Sequence, residues 1–284
     1  IKNPPAPGTA KAQGDCRLRT YRLAIAATGE YTSYHGGQVN AQAAIATTMN
    51  RVNGLFERDV AITMTIISGT NIIYTNGGSD PYSNNNGGAM LSENQSNLDA
   101  VIGSANYDIG HVFSTGGGGV AYLNSPCNNS TKAGGVTGSS APVGDPFDVD
   151  YVAHEMGHQY GATHTFNATS GSCGGGNRSS GTAYEPGSGT SILAYAGICS
   201  PNDVQSNSDA VYHAGSIVQM SNNIVSGTSS TCPVTSNSGN TAPVANAGAS
   251  YTIPHSTPFT LTGSGTDADG DALTYTVRLF LSGG

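Results

Sequence analysis

Residues 148–164, DVDYVAHEMGHQYGATH, decide how this chain is read. Asp148 to Tyr160 has a helical pattern, with Asp148 as candidate N-cap and Gly161 at the C-terminal stop. His154 and His158 stand one turn apart on the same face, and Glu155 projects beside them. Gly161 has no Cβ and can take the left-handed conformation that turns the chain sharply, returning His164 from outside the helix as a third nitrogen. The full H-E-x-x-H-x-x-G-x-x-H pattern arises by chance in roughly 1 of 10⁵ such sequences, against about 1 of 300 for the bare H-E-x-x-H core, so the long form carries the weight. Three nitrogens on one ion leave one position open. That is the arrangement of a catalytic zinc, whose water is acidified toward a pKa of ~7, rather than of a closed structural site.

Upstream of this stretch, Arg17 to Ala27 reads as a strand with one face buried. From Gln38 to Glu57 the apolar positions Val39, Ala43, Ala46, Met49, Val52 and Phe56 recur at helical spacing. Val60 to Ile67 reads as a buried strand, and an Asn- and Gly-rich loop follows from Asn76 to Gly88. Ser92 is a candidate N-cap for a second helix ending near Gly103, and Tyr107 to Phe113 is the next strand. Gly116 to Gly119 lead into a strand at Val120 to Leu123, whose small neighbours let another backbone approach. Downstream, 167–189 looks irregular, Asp209 to Ile224 is amphipathic and helical, and Thr228 to Thr241 is linker-like. From Ala242 onward short alternating runs separated by turns have the pattern of a β-sandwich, but about 40 residues fall short of the ~100 a sandwich usually takes.

The chain has 284 residues and a formal charge of −8, from 18 acidic and 10 basic side chains. No basic cluster is present to neutralise phosphates or anionic lipid, so nucleic acid and membrane surfaces are not expected partners. No apolar run approaches the ~20 residues of a membrane span. Charged residues make up 10%, far below the usual ~25%. Five cysteines in a chain so poor in Lys and Glu point to an oxidising compartment, two bridges and one spare thiol, with the pairing open on sequence alone. Ile1 to Gly8 lacks the basic start and apolar centre of a signal peptide and reads as the start of a processed, secreted chain. His35, His111, His213 and His255 lack metal-ligand spacing and are read as structural or surface residues. Asp267, Asp269 and Asp271 alternate around a glycine and could suit Ca2+, as more weakly could Asp80 with Asn84 to Asn86, but a sandwich turn accounts better for the aspartates.

The likeness to known proteins extends beyond the zinc motif. MNRVNGLFERDVAITMTII (Met49 to Ile67) resembles the helix-to-strand passage of reprolysins, and GVAYLNSPC (Gly119 to Cys127) resembles their rim strand and its cysteine. Ser191 to Tyr195, SILAY, resembles the Met-turn of astacins and serralysins. Over roughly residues 17–232 the chain is therefore similar to the metzincin zinc metallopeptidases, and above all to secreted bacterial reprolysin-like (adamalysin-like) proteases with a C-terminal PKD- or cadherin-like sandwich module.

The resemblance implies an α/β (α+β) catalytic domain, a twisted mixed sheet carrying the active-site helix, with a truncated C-terminal β segment. It divides the chain into a lead at 1–16, a zinc metallopeptidase domain at 17–232, a linker at 233–242 and a partial β-sandwich module at 243–284. It implies one catalytic Zn2+ on His154, His158 and His164, and Glu155 as the base that activates the zinc-bound water. Tyr195 would bind the metal at rest or donate its hydroxyl to the oxyanion. Gly118, Gly119, Val120, Ala121 and Tyr122 would hold an extended protein or peptide substrate by backbone pairing, and Ala196 and Gly197 would begin the wall of the primed-side pocket. Cys127 with Cys232 would tie the rim to the domain's C-terminal end, Cys173 with Cys199 would pin the irregular loop, and Cys16 would be the odd one. A monomer, held inactive by an inhibitory propeptide before processing, is expected. Two positions depart from the family: Leu193 replaces the methionine of the Met-turn, and Thr165 follows the third histidine where reprolysins usually have Asp. The competing reading is a catalytically inactive, zinc-containing adhesin or matrix-binding protein, against which Glu155 argues, since a non-catalytic site needs no carboxylate at the open position.

Overall fold

A computed structural model describes residues 15–67, 69, 71–248, 252, 254, 256–260 and 262–275. The lead before Asp15 and His255 lie outside the described residues. The first strand, β1 (Arg17–Ala27), is exposed at its start and buried on both faces from Leu23 onward. Its side chains divide by parity, as a pleated strand requires. Leu23, Ile25 and Ala27 enter one core with α2 (Gln38–Val60), while Ala24 and Ala26 enter a second with α3 (Gly87–Val101). Two-sided burial belongs to the interior of a helix-covered parallel sheet, and β1 is an interior strand, between β2 and β3. It pairs in parallel with β2 (Ile62–Ile66), Arg19 opposite Ile62, and with β3 (Ile109–Ser114), Leu23 opposite Ile109. A short helix, α1 (Gly29–Tyr34), and then α2 connect β1 to β2, and α3 lies between β2 and β3, as parallel neighbours require a crossover.

Beyond β3 the sheet continues through β5 (Gly135–Gly138), parallel to β3, to β4 (Gly118–Ala121), antiparallel to β5 at the edge. The result is a mixed α/β sheet whose edge strand, β4, runs against β2, β1, β3 and β5. Four residues with a glycine at each end, GVTG, give β5 no readable alternation, and the sequence expectation contained no strand there. The helical run that follows begins at α4 (Asp145–Phe147), capped by Gly144 at φ +69°, so Asp148 is not the N-cap. Asp148 is buried and accepts a hydrogen bond from Thr48 Oγ1 of α2 at 2.7 Å. The run passes through a π-helical stretch, Asp148–Ala153, into α5 (His154–Gln159).

Other boundaries move for equally local reasons. Asn86, not Ser92, caps α3, its Oδ1 accepting Ala89 N–H at 3.1 Å, while Ser92 Oγ back-bonds to Ala89 O within the helix. The last helix, α6 (Ala214–Ser226), starts after His213, whose ring accepts Gly215 N–H. Part of the stretch expected to be linker is a strand: β6 (Val234–Asn237) pairs antiparallel with the first four residues of β1. In the C-terminal segment, β7 (Val244–Asn246) and β8 (Ser264–Thr266) form a two-stranded antiparallel sheet. Disulfides join Cys127 to Cys232 and Cys173 to Cys199, and Cys16 is free and exposed.

Candidate metal centre and substrate cleft

α5 carries His154, Glu155 and His158, and is locked to the sheet beneath it. Gln159, fully buried, donates to Gly110 O and Ser125 Oγ. Its carbonyl oxygen lies 2.8 Å from His111 Nδ1, and the other nitrogen of that ring lies 2.8 Å from Thr137 Oγ1 of β5. His111 is thus a structural residue, held neutral by burial with its pKa lowered to about 4. On the opposite side, Gly157 leaves room for Leu193, which is fully buried against the helix; a Cβ at 157 would press on Leu193 Cδ2.

Gly161, at φ +105°, ends the helix by the left-handed turn its sequence position predicts. The three Nε2 atoms converge: His154 to His158 at 3.1 Å, His158 to His164 at 3.0 Å and His154 to His164 at 3.2 Å. Each Nδ1 faces a backbone carbonyl, Ile192 O at 2.6 Å, Ala162 O at 2.7 Å and Asn177 O at 2.6 Å respectively. A carbonyl only accepts, so each Nδ1 carries the proton and each Nε2 presents its lone pair inward. Burial holds all three imidazoles below their ordinary pKa, His158 down to about 3, so they are neutral as ligands must be. A tetrahedral zinc with Zn–N of about 2.05 Å spaces its nitrogens ~3.3 Å apart, within a few tenths of an ångström of this triangle. The donor set fits zinc, and the pinned tautomers are what outer partners of a metal-bound histidine provide.

Glu155 completes the fit. Its carboxyl is buried, its Oε2 has no hydrogen-bond partner among the described residues, and burial lifts its pKa to about 8. Directly above it passes β4, and a Cβ at Gly119 would overlap the Glu155 carboxylate, so the strand comes this close only as glycine. Gly119, Val120 and Ala121 line the cleft with Glu155, His158, His164 and Tyr195, while Gly118 borders its other end. Tyr122 does not line it: its N–H bonds Gly134 O and its ring is exposed, and Leu123 takes the position against the cleft. The Tyr195 ring stacks on Phe166 and lies 4.6 Å from the His164 ring and 5.5 Å from the His154 ring. Burial, with Glu155 and Tyr151 nearby, raises its phenol to about 12, so it stays a proton donor. Ala196 lines the cavity beyond Tyr195, whereas Gly197 turns away at φ +83° against the Ser206 backbone.

Two residues of the site are absent from the sequence reading. Glu185 is buried and knots the segment that follows His164 to the Thr190–Ser191 turn. Its Oε1 accepts Thr190 and Ser191 N–H at 3.0 and 3.1 Å, and its Oε2 accepts the hydroxyls of Thr165 and Ser191, both at 2.5 Å. Burial opposes its ionisation, but these bonds prevail and hold its pKa below the ordinary carboxylate value. Thr165 thus reaches a carboxylate supplied from twenty residues on. The available signal was that Glu185 is the only acid between residues 165 and 202. Asp150, the second, stands four residues before His154 on the same side of the helical run and lines the same cavity.

The other acidic candidates close turns. Asp267, Asp269 and Asp271 come within 4.8 Å of one another, but Asp267 Oδ1 accepts the N–H groups of Asp269 and Asp271. Asp80 spends its two oxygens on Gly29 and Tyr82 N–H. No helix among the described residues is long and apolar enough to cross a membrane.

Among known proteins, the family model of M12B reprolysin-like metallo-peptidases matches residues 17–224. No curated protein matches. Of solved structures, a chaperone–substrate complex is 16% identical over 72% of this chain and 34% of its own, with a TM-score of 0.40. Metalloproteinase-II from Bacteroides fragilis is 17% identical over 74% of this chain and 53% of its own, with a TM-score of 0.39. The chain therefore spans about a third and about half the length of these two structures.

Proposed function

This chain belongs to the M12B reprolysin-like metallopeptidases, and from that premise we propose that it is a secreted zinc endopeptidase acting on protein or peptide substrates through residues 17–232. The observation that carries the proposal is the triangle of inward Nε2 lone pairs beside an unpartnered buried carboxylate. His154, His158 and His164 would hold a zinc ion, which when bound would supply a Lewis acid able to lower the pKa of a water and polarise the scissile carbonyl. Glu155 takes the proton of the attacking water at its free Oε2 and passes it to the leaving amine. Tyr195, protonated at working pH, donates its hydroxyl to the carbonyl oxygen as negative charge develops there. The outer edge of β4 offers backbone donors and acceptors to an extended peptide, giving affinity with little regard for side chains, and glycine at 118 and 119 lets that peptide lie close to Glu155. Secretion is supported by the two disulfides. A monomer, an inhibitory propeptide and a PKD- or cadherin-like module at 243–284 complete the proposal.

The test is hydrolysis of a denatured protein by the purified chain, with a zinc chelator and then with zinc added back. Loss and recovery of cleavage are expected. A chain that binds one zinc yet cuts nothing would overturn the reading in favour of the adhesin.

A further inference from the structure

The cavity beyond the metal centre has a chemistry of its own. It measures about 410 Å³ and runs from Gly118 and Gly119 past His154 and Glu155 to the Tyr195–Ile198 turn and the Ser206–Ser208 loop. Tyr151, Ala194, Ala196 and Ile198 give it apolar walls. No lysine or arginine lines it, and its acidic groups are Glu155, at the metal end, and Asp150. One Asp150 oxygen accepts Ser208 N–H at 2.8 Å. None of the ion pairs among the described residues includes Asp150, and the nearest arginine to its neighbour Asp145, Arg51, is engaged by Asp145 itself. Burial lifts the Asp150 carboxyl above its ordinary pKa, with Asp145 adding to the effect. A half-buried carboxylate with no ion-pair partner, lining a cavity whose walls are apolar on one part and, through Ser172, Asn177 and the 206–208 loop, polar on another, is complemented by a long side chain with an apolar stem and a cationic tip.

We infer that this cavity receives the side chain immediately following the scissile bond and that Asp150 selects lysine or arginine there. The inference rests on the endopeptidase reading and adds to it the substrate class: polypeptides cut on the amino side of a basic residue. The walls cover the methylene stem, Asp150 meets the charge, and the serine and asparagine groups of the 206–208 loop can take the remaining N–H donors. A neutral isostere of arginine, citrulline, keeps the length and the polarity but leaves the carboxylate unpaired.

Two measurements test this. The zinc-loaded full chain is given peptides identical except for arginine, citrulline, leucine or glutamate after the cleaved bond. Arginine is expected to exceed citrulline by at least about tenfold in kcat/KM, as for a close, partly buried charge pair. Asp150→Asn, which keeps an acceptor for Ser208, should bring that ratio to within about twofold, and Asp150→Lys should turn the preference toward glutamate. Wild-type cleavage with arginine and citrulline equal, or a ratio that survives Asp150→Asn, overturns the assignment. The second measurement is calorimetric binding of the arginine and citrulline peptides to the zinc-loaded Glu155→Gln chain, expected to differ by the same factor. If the wild type cuts nothing, the endopeptidase reading falls. The cavity assignment is then judged by binding alone, which equal affinities overturn and a tenfold arginine advantage supports.

Discussion

Two of the three zinc-site histidines sit in a part of the molecule made by burial, and the third sits in a part made by polar and covalent ties. Up to Tyr160, helices and strands bury two apolar cores on either side of β1. From Gly161 to His213 the described residues contain no strand and no α-helix, only one 3-10 turn at Gly171–Cys173. This second region lends Ala162, Ile192, Leu193 and Tyr212 to the first of those cores and otherwise has a small apolar cluster of its own, Phe166, Ala168, Cys173 and Cys199, with Tyr195 packed against it. Between those anchors the region is held by the Cys173–Cys199 bridge and the Glu185 knot. Yet all three Nδ1 acceptors, Ile192, Ala162 and Asn177, come from this second region. The first half supplies the base and two ligands, and the second sets their orientation and forms part of the cavity wall. A metal site assembled this way joins a rigid frame to a segment whose sequence is free to change with substrate.

Glu155→Ala should have the largest effect, on the buried half alone: kcat/KM falls about 10²- to 10⁴-fold, the worth of a positioned base, while zinc content by elemental analysis stays at wild type. Full activity in that variant would remove Glu155 from the chemistry. Cys173→Ser with Cys199→Ser strikes the other half. A bridge closing 26 residues is worth about 3.5 kcal/mol by the chain-entropy relation, read as a lower urea midpoint. An unchanged midpoint would mean that polar contacts suffice there, which breaks the contrast. Glu185→Gln comes next, at about 1–3 kcal/mol at neutral pH, the worth of charge-assisted bonds. Because the folded-state pKa of Glu185 is depressed, its contribution is present above the ordinary carboxylate pKa and is lost as pH falls toward the folded value. The gap between wild type and variant should therefore close in acid, and a pH-independent gap would mean that the charge is immaterial. Smallest is Leu193→Met, a near-isosteric core change expected to cost under ~1.5 kcal/mol in melting experiments, with kcat nearly unchanged. A larger loss would mean that the core beside Gly157 is packed too tightly around Leu193 to take an unbranched side chain.

The same divide governs how much could be read from the sequence. β1 and the start of α2 were legible because their apolar spacing is long and regular, and the HEMGHQYGATH stretch because a helical repeat and one glycine fix where three histidines go. α3 was misjudged at its start since Asn86 and Ser92 are both good caps and only tertiary packing chooses between them. β5 and β6 are four residues each, too short to show a period, and are strands only because β3 and β1 offer edges. Glu185 was invisible for a different reason: its role lies in bringing together Thr165 and Ser191, residues far apart in sequence, through a loop with no repeat. Asp150 was within reach, being four residues from His154, but its meaning depends on a cavity whose other walls come from 194–208.

The Cys127–Cys232 bond has a consequence for the lifetime of such an enzyme. Its ring of chain contains all three histidines, Glu155, Asp150 and Tyr195, together with the whole loop-rich region where a protease in concentrated solution would nick its own molecules. Any single cut inside the ring leaves the two fragments covalently joined, with β6 still seated on β1 and each ligand near its partners. Self-cleaved molecules would therefore run as one band on a gel until reduced, and those cut at a surface turn could go on working.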